Sequence, residues 1–381
     1  RSERVGFVEL AADGKRFLIN GEPYYMRGTG DFVVNPETGS PDTDRDRWRR
    51  KLQTLRDYGY NHVRCQSYVP APEYYDVADE VGLLVQSEMG MLGAWGGHSQ
   101  WHIYGWPPPH GEYRDALRWQ WNRTVMRDVN HPCAALYCMS NELGGPGTDY
   151  PRTAWRCCRE TKAIKPSAMV IWTDGGCDAS LPGDFVNAEA HLDDQCDLPV
   201  IQHEFRWWSS CPDVRDRNKH SGAVRPYAIE HLERVARQVG LERLLPRMAA
   251  NSERLQYIEA RAKMEACRRD NPTLAGISHF TAMGCGFSPQ GIVDDFYDRK
   301  YADAETWRRT NGDTVLLVDR DFDDRVLVGG EELRCRISVS DWSHPPFESP
   351  VLEWKLRRGR RNVARGRIEF RHRPFRTHRV G

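Results

Sequence analysis

Long apolar runs are missing from this chain of 381 residues. No segment approaches the roughly 18 consecutive apolar residues that a membrane-spanning helix needs, so no bilayer partner is expected. An excess charge of either sign is missing too. Fifty-four basic residues face 54 acidic ones, which leaves no net field to favour nucleic acid or an anionic membrane. Recurrent cysteine pairs are also absent. The 11 cysteines are an odd, irregularly spaced set, and no CxxC pair recurs at zinc-finger spacing. Buried free thiols are therefore expected, with Cys157 and Cys158 side by side on a helix. No GxGxxG, P-loop or GxSxG motif occurs, so dinucleotide binding, nucleotide phosphate binding and a serine-elbow hydrolase have no support. Neither a metal nor a cofactor is expected. A site built from Glu88, His98 and Glu142 would have no specific metal-ligand spacing.

Aromatics are plentiful, with 13 Trp and 15 Tyr. Asn20-Gly21 is a hairpin-turn signal between Arg16–Ile19 and Tyr24–Arg27. Strand and helix signals then alternate. Strands are expected at Tyr24–Arg27, Asn61–Cys65, Leu83–Glu88, Ala134–Ser140, Met169–Thr173, Phe185–Glu189, Pro199–Glu204 and Leu274–Phe280. Helices are expected from a Thr43 cap to Tyr58, and over Glu73–Val81, Tyr113–Val129, Thr153–Ile164 and the long polar stretch Tyr227–Arg269. Eight strands with helical crossovers make an α/β chain, a (β/α)8 TIM barrel spanning residues 1–312. A doubly wound sheet would also explain the weak helices after the fifth and sixth strands, but no glycine-rich turn opens the first helix. From Asp313 the texture becomes short alternating strands with Gly-Gly and Pro-Pro breaks. Residues 313–381 therefore read as the start of a β-sandwich of Ig-like type. The chain opens on Arg1 and closes in a run with 11 Lys/Arg against 2 Asp/Glu after Pro350, so both ends read as cut from something longer. The compartment is left open, soluble in the cytoplasm or secreted.

Barrel active sites form at the C-terminal ends of the strands. Two apolar runs, AALYCMSNE (Ala134–Glu142) and LPVIQHE (Leu198–Glu204), each end on a glutamate at such a tip. Two carboxyls at one mouth are what glycosidic hydrolysis requires: one protonates the leaving oxygen, the other attacks or activates water. With the pair about 5–5.5 Å apart, Glu204 attacks and a covalent intermediate forms. A guanidinium keeps a nucleophilic carboxylate ionised. Arg64, at the second strand's tip, is the candidate, with a salt bridge to Glu88 as its structural alternative. Asn141 is placed to bond a sugar hydroxyl or to cap a loop. His191 and His203 are placed to touch substrate or to orient a carboxylate, and Asp31 lies just beyond the first strand. Trp95 and Trp207 are stacking candidates for a sugar face, and Phe280 a candidate floor.

These segments resemble glycoside hydrolase family 2, the group of β-galactosidases, β-glucuronidases and β-mannosidases. FLINGEPYYMRG (Phe17–Gly28), NHVRCQSYVPAPEYYDVADEVGLLVQSE (Asn61–Glu88), HPCAALYCMSNELG (His131–Gly144) and PVIQHEF (Pro199–Phe205) match in order over about Gly14 to Thr281. The resemblance implies a retaining β-glycosidase with Glu142 as acid/base and Glu204 as nucleophile. It also implies flanking β-sandwich domains, the upstream pair of which is not in this chain. The likeness does not extend to galactose recognition or a magnesium site. TGDFVVNP (Thr29–Pro36) and Gln66-Ser67-Tyr68 lack the usual histidines, and Glu88-Met89-Gly90 lacks the Glu-x-His. The Arg206-Trp207-Trp208 insertion is a further departure. An exo-acting glycosidase on oligosaccharide or glycoside ends is expected. The alternatives are an endo-acting hydrolase or transglycosylase with the same carboxylates, or a noncatalytic carbohydrate-binding barrel.

Overall fold

The computed structural model describes residues 5–32, 35–90, 111–141, 150–175, 183–188, 196–205, 209–284, 289–320 and 326–381, without the side chains of 111–114 and 150–153. The chain opens with an antiparallel sheet of β1 (Leu10–Asp13), β2 (Arg16–Ile19) and β3 (Glu22–Tyr24). Its tight turn falls on Asn20 and Gly21, both at positive φ, the backbone that this dipeptide favours.

Eight parallel strands follow: β4 (Met26–Asp31), β5 (His62–Cys65), β6 (Leu84–Glu88), β7 (Ala134–Cys138), β8 (Met169–Ile171), β9 (Val186–Ala188), β10 (Val200–Phe205) and β11 (Gly276–His279). Their order is β8-β7-β6-β5-β4-β11-β10-β9, and every pairing is parallel. Two main-chain bonds, Asp184 N to Val170 O and Gly175 N to Asn187 O, each 2.9 Å, draw the β8 and β9 ends together into a barrel. All eight strands lie where the sequence pattern puts them.

Two apolar clusters separate the inside of the barrel from its helical coat. Met26, Leu84, Leu136, Cys138, Met169, Ile171, Phe185, Ile201 and Ala275 fill the barrel with Leu10 and Phe17. The N-terminal hairpin thus plugs the barrel floor, where Phe17 meets Phe185 edge-on at 5.8 Å. Fully burying one such ring contributes about 1.5–3 kcal/mol. Outward neighbours such as Val63, Cys65, Val85, Tyr137, Val170 and Ile277 pack beneath the helices.

Those helices are α1 (Arg45–Asp57), α2 (Pro72–Val81), α3 (Gly111–Asp128), α4 (Tyr150–Ile164), α5 (Tyr227–Gln238), α6 (Leu245–Asp270) and α7 (Ala304–Asn311). Trp48, Leu52 and Leu55 form the buried stripe of α1, as their spacing predicts. The cap is Asp44 rather than Thr43, and its carboxylate accepts from Asp46 N at 2.8 Å and Arg47 N at 3.3 Å. A carboxylate there meets both the orphan amides and the helix dipole. The long stretch Tyr227–Arg269 is two helices, not one. Gly240 at φ 71° ends the first and Pro246 opens the second.

After Asp313, β12 (Thr314–Val318), β13 (Ile337–Asp341) and β16 (Arg376–Arg379) form a three-stranded antiparallel sheet. β14 (Val351–Arg358) and β15 (Arg361–Glu369) form a separate hairpin. The sheet is fastened to the barrel. Arg27 Nη1 lies 2.6 Å from Asp313 Oδ1 and the Trp342 ring meets Tyr25 at 5.1 Å, while Arg268 of α6 lies over the same Tyr25 ring at 4.7 Å. The nine described cysteines are all free thiols.

Asp31 belongs to the helical side of β4, not to the mouth. Its carboxylate is fully buried, bonded to Lys51 of α1 and, at 2.6 Å, to Tyr74 Oη of α2. Burial pulls the Lys51 ammonium down, yet Asp31 more than compensates and the pKa ends above its ordinary value of 10.5. A group raised on folding stabilises the fold fully below its unfolded pKa, so this pair holds at neutral pH and fails only in strong alkali. Lys51→Met is expected to cost about 3–5 kcal/mol, read from the urea midpoint, because it strands a buried carboxylate. Adding Asp31→Leu should recover part of that loss.

Candidate active site

The C-terminal ends of the barrel strands converge on Arg64. Residues of β5 alternate, so His62 and Arg64 face the lumen while Val63 and Cys65 face the helices. The Arg64 side chain is 1% exposed, a burial that a guanidinium tolerates only among anions. It has them. Nε lies 2.8 Å from Glu88 Oε2 and 2.7 Å from Asp174 Oδ2, and Nη1 lies 2.7 Å from Glu204 Oε1. Nη2 donates to the Asn141 side-chain oxygen. One fork of donors therefore ties the ends of β5, β6, β7, β8 and β10 together. Both sequence readings of Arg64, as the guanidinium beside Glu204 and as the partner of Glu88, hold at once.

Glu204 reaches this cluster through a fault in its strand. Strict alternation along β10 would send Glu204 to the side opposite Ile201 and His203. Yet Ile201 belongs to the barrel interior while Val200 and Phe205, five residues apart, both lie outside. The parity changes at a bulge. Gln202 pairs with Ile277 and Phe205 with His279, so two residues of β10 face one of β11. Glu204 adopts φ 35° there, a left-handed backbone that costs a non-glycine residue roughly 1–3 kcal/mol. The bulge delivers His203 and Glu204 together to the Arg64 side.

Charge states follow from these contacts. Burial works against the Arg64 charge, but Asp174, Glu88 and Glu204 outweigh it and hold the pKa well above the usual arginine value. Burial raises Glu88 more than Arg64 lowers it, so Glu88 is the carboxyl most ready to take a proton. Asp174 also suffers burial, yet Arg64 and then His203 hold it below the ordinary range. Its Oδ2 further accepts from Gln86 Nε2 at 2.5 Å. Glu88 Oε1 accepts from Ser67 N at 2.8 Å and from the Ser67 hydroxyl at 3.1 Å. Deeper in the barrel, burial pushes His62 down to about 4, so it is a neutral ring at physiological pH.

Four expected site residues thus meet: Arg64, Asn141, His203 and Glu204. Phe280 follows β11 and is nearly buried, packed edge-on against Phe32 at 5.7 Å. Asp31 is turned away, as described. Glu142, His191, Trp95 and Trp207 lie outside the described residues. Sequence reasoning gave no role to Asp174 or Gln86. Asp174 carried the same signal as the two glutamates, an acid directly after an apolar run (MVIWTD). Metal-like proximity occurs once here, where donor atoms of Glu88, Cys138 and Asp174 lie within 4.8 Å of one another. The guanidinium already serves both carboxylates, and burial pushes the Cys138 thiol up into its protonated form, a poor ligand.

A closed parallel barrel that gathers carboxylates, an arginine and a histidine at its C-terminal mouth has the build of a barrel enzyme. The chain belongs to glycosyl hydrolase family 2, whose TIM barrel domain matches residues 9–256. A β-galactosidase from Arthrobacter sp. (strain B7) is 31% identical over 160 residues, 42% of this chain and 15% of that protein. A β-galactosidase from Vibrio cholerae is 26% identical over 223 residues, 55% of this chain and 20% of that protein. The matches therefore take in only a minor part of those relatives. In three dimensions the chain is similar to a β-D-mannosidase from Dictyoglomus thermophilum, with TM-score 0.64 and 15% identity, covering 100% of this chain and 50% of that one. It is also similar to a family 2 β-galacturonidase from Eisenbergiella tayi, with TM-score 0.59 and 15% identity, covering 81% of this chain and 55% of that one.

Proposed function

We propose that this chain is the catalytic barrel of a retaining β-glycosidase that removes a terminal sugar through a covalent glycosyl-enzyme intermediate. Glu204 is the nucleophile and Glu142 the acid/base. Residues 1–312 are the catalytic domain, and residues 313–381 begin a sandwich of Ig-like kind. The observation that carries the reading is the Arg64 Nη1–Glu204 Oε1 pair at 2.7 Å, within a barrel of a glycosidase family. A nucleophilic carboxylate must be ionised and aimed, and a buried guanidinium does both. Asn141 shares that guanidinium and immediately precedes Glu142, so a sugar 2-hydroxyl bound by Asn141 would lie between the two glutamates' strands. Phe280, Trp95 and Trp207 are the proposed apolar contacts of the sugar, and His191 a polar one.

The sugar is decided by trial. A panel of aryl β-glycosides (galactoside, glucuronide, mannoside, glucoside, arabinoside) should yield at least one substrate. The matching 2-deoxy-2-fluoro glycoside should then label one peptide, the one that contains Glu204, as read by mass spectrometry. Labelling elsewhere would refute the assignment.

A further inference from the structure

His203 sits in a seat made by two consecutive residues, Asp174 and Gly175. Its Nε2 lies 3.1 Å from Asp174 Oδ1 and 3.5 Å from Glu204 Oε1, and 3.3 Å from Arg64 Nη1, a donor from which Nε2 can accept only when it carries no proton. Asp174 is fully buried, and its two oxygens divide the work. Oδ2 serves Arg64 and Gln86, while Oδ1, 3.1 Å from His203 Nε2, has no hydrogen bond among the described residues. A buried carboxylate oxygen left unpaired is costly, which favours a proton on the ring that faces it. Gly175 makes the room. At φ +69° it adopts a backbone that side chains rarely accept, and a Cβ there would stand 2.4 Å from His203 Cε1 and 2.7 Å from Nδ1. The main chain beside Asp174 is thus shaped around the imidazole.

We propose that Asp174 is a positioning residue which, with Gly175, holds His203 as an imidazolium against Glu204, so that the nucleophile lies between two cations. The inference rests on the reading of Glu204 as nucleophile. Charge balance supports it. The described charged groups beside His203 are Arg64 from β5, Asp174 after β8 and Glu204 on its own strand, with Glu88 of β6 and Cys138 of β7 lying against Arg64 and Asp174. Among the described residues Arg64 alone faces the carboxylates of Asp174 and Glu204, so a charged His203 supplies the second cation beside them, the arrangement a buried site tolerates best. With His203 neutral, the set is left with an excess negative charge. Burial and the Arg64 charge oppose protonation of the ring, but Asp174 outweighs them and raises its pKa above the ordinary 6.5. The arrangement differs from a single arginine clamp. Glu204 meets a basic group on each side, and one of the two can be titrated.

The test is direct observation of the ring. Histidine labelled with 15N should show His203, assigned by its loss in His203→Gln, titrating above 6.5 in the wild-type protein. Asp174→Asn should lower that midpoint by about one pH unit or more, because an adjacent opposite charge is worth about 1–3 units. Gly175→Ala should lower it as well by displacing the ring while leaving the Asp174 charge in place. A wild-type His203 midpoint at or below 6.5, with Nε2 accepting from Arg64, would overturn the proposal. If wild type hydrolyses none of the glycosides, the functional reading fails, and the titration alone upholds or overturns the Asp174–His203 pair.

Discussion

Glu204→Gln is expected to abolish turnover of every aryl β-glycoside the wild type accepts, by on the order of 10³-fold or more. The amide can still accept a hydrogen bond from Arg64, so the side chain keeps its place. It cannot form the glycosyl ester, and it no longer offers negative charge to the oxocarbenium-like transition state. The loss should fall on kcat and kcat/KM alike, because ground-state contacts to the sugar survive. The cost to the fold should be small beside the catalytic loss. Glu204 already pays for a left-handed φ of 35°, and glutamine inherits the same backbone and bulge. The checks are initial rates on activated substrates and the absence of labelling by the fluoro-sugar. A variant that keeps more than about a tenth of the wild-type rate would contradict the nucleophile assignment.

Glu142→Ala should give the second largest effect, and its size should depend on the substrate. General acid catalysis is worth about 10²–10⁴-fold where the leaving oxygen is a poor one, as in an alkyl glycoside or a disaccharide. A dinitrophenolate leaves without a proton, so formation of the intermediate from its glycoside should be nearly unchanged. Hydrolysis of that intermediate needs the same residue as base. A burst of dinitrophenol followed by slow turnover is therefore the expected trace in a stopped-flow experiment. An equal loss on all leaving groups would remove Glu142 from the acid/base role. Together the two variants separate attack from proton transfer.

Much of this site was legible in the chain. The eight barrel strands stand out as short apolar runs, and the acids that end several of them mark the mouth, because composition and the C-terminal position are local properties. Arg64 could be named as the partner of Glu204 and of Glu88 for the same reason. Direction was not legible. Asp31 also follows a strand, yet it occupies the outward parity of β4 and is spent on Lys51 and Tyr74. Glu204 should by alternation face outward with Val200, and a two-against-one bulge turns it inward. Asp174 carried the right local signal, but its role depends on Arg64, Gln86 and His203, residues 29 to 110 positions away in the chain. The division of Tyr227–Arg269 into two helices was missed, because the amphipathic pattern outweighed Gly240 and Pro246, whose backbone preferences compete with it.

The sequence by itself determined the barrel, the strand tips that carry acids, and membership of a family that cleaves glycosidic bonds. Each of these rests on patterns a few residues long, or on segments matched in order. Only the tertiary structure decided which of those acids share a guanidinium, which are consumed in the helical layer, and why a histidine stands beside Glu204. These outcomes depend on side-chain direction. On a strand that direction reverses at every residue, so a single inserted bulge in β10 changes which face carries the chemistry.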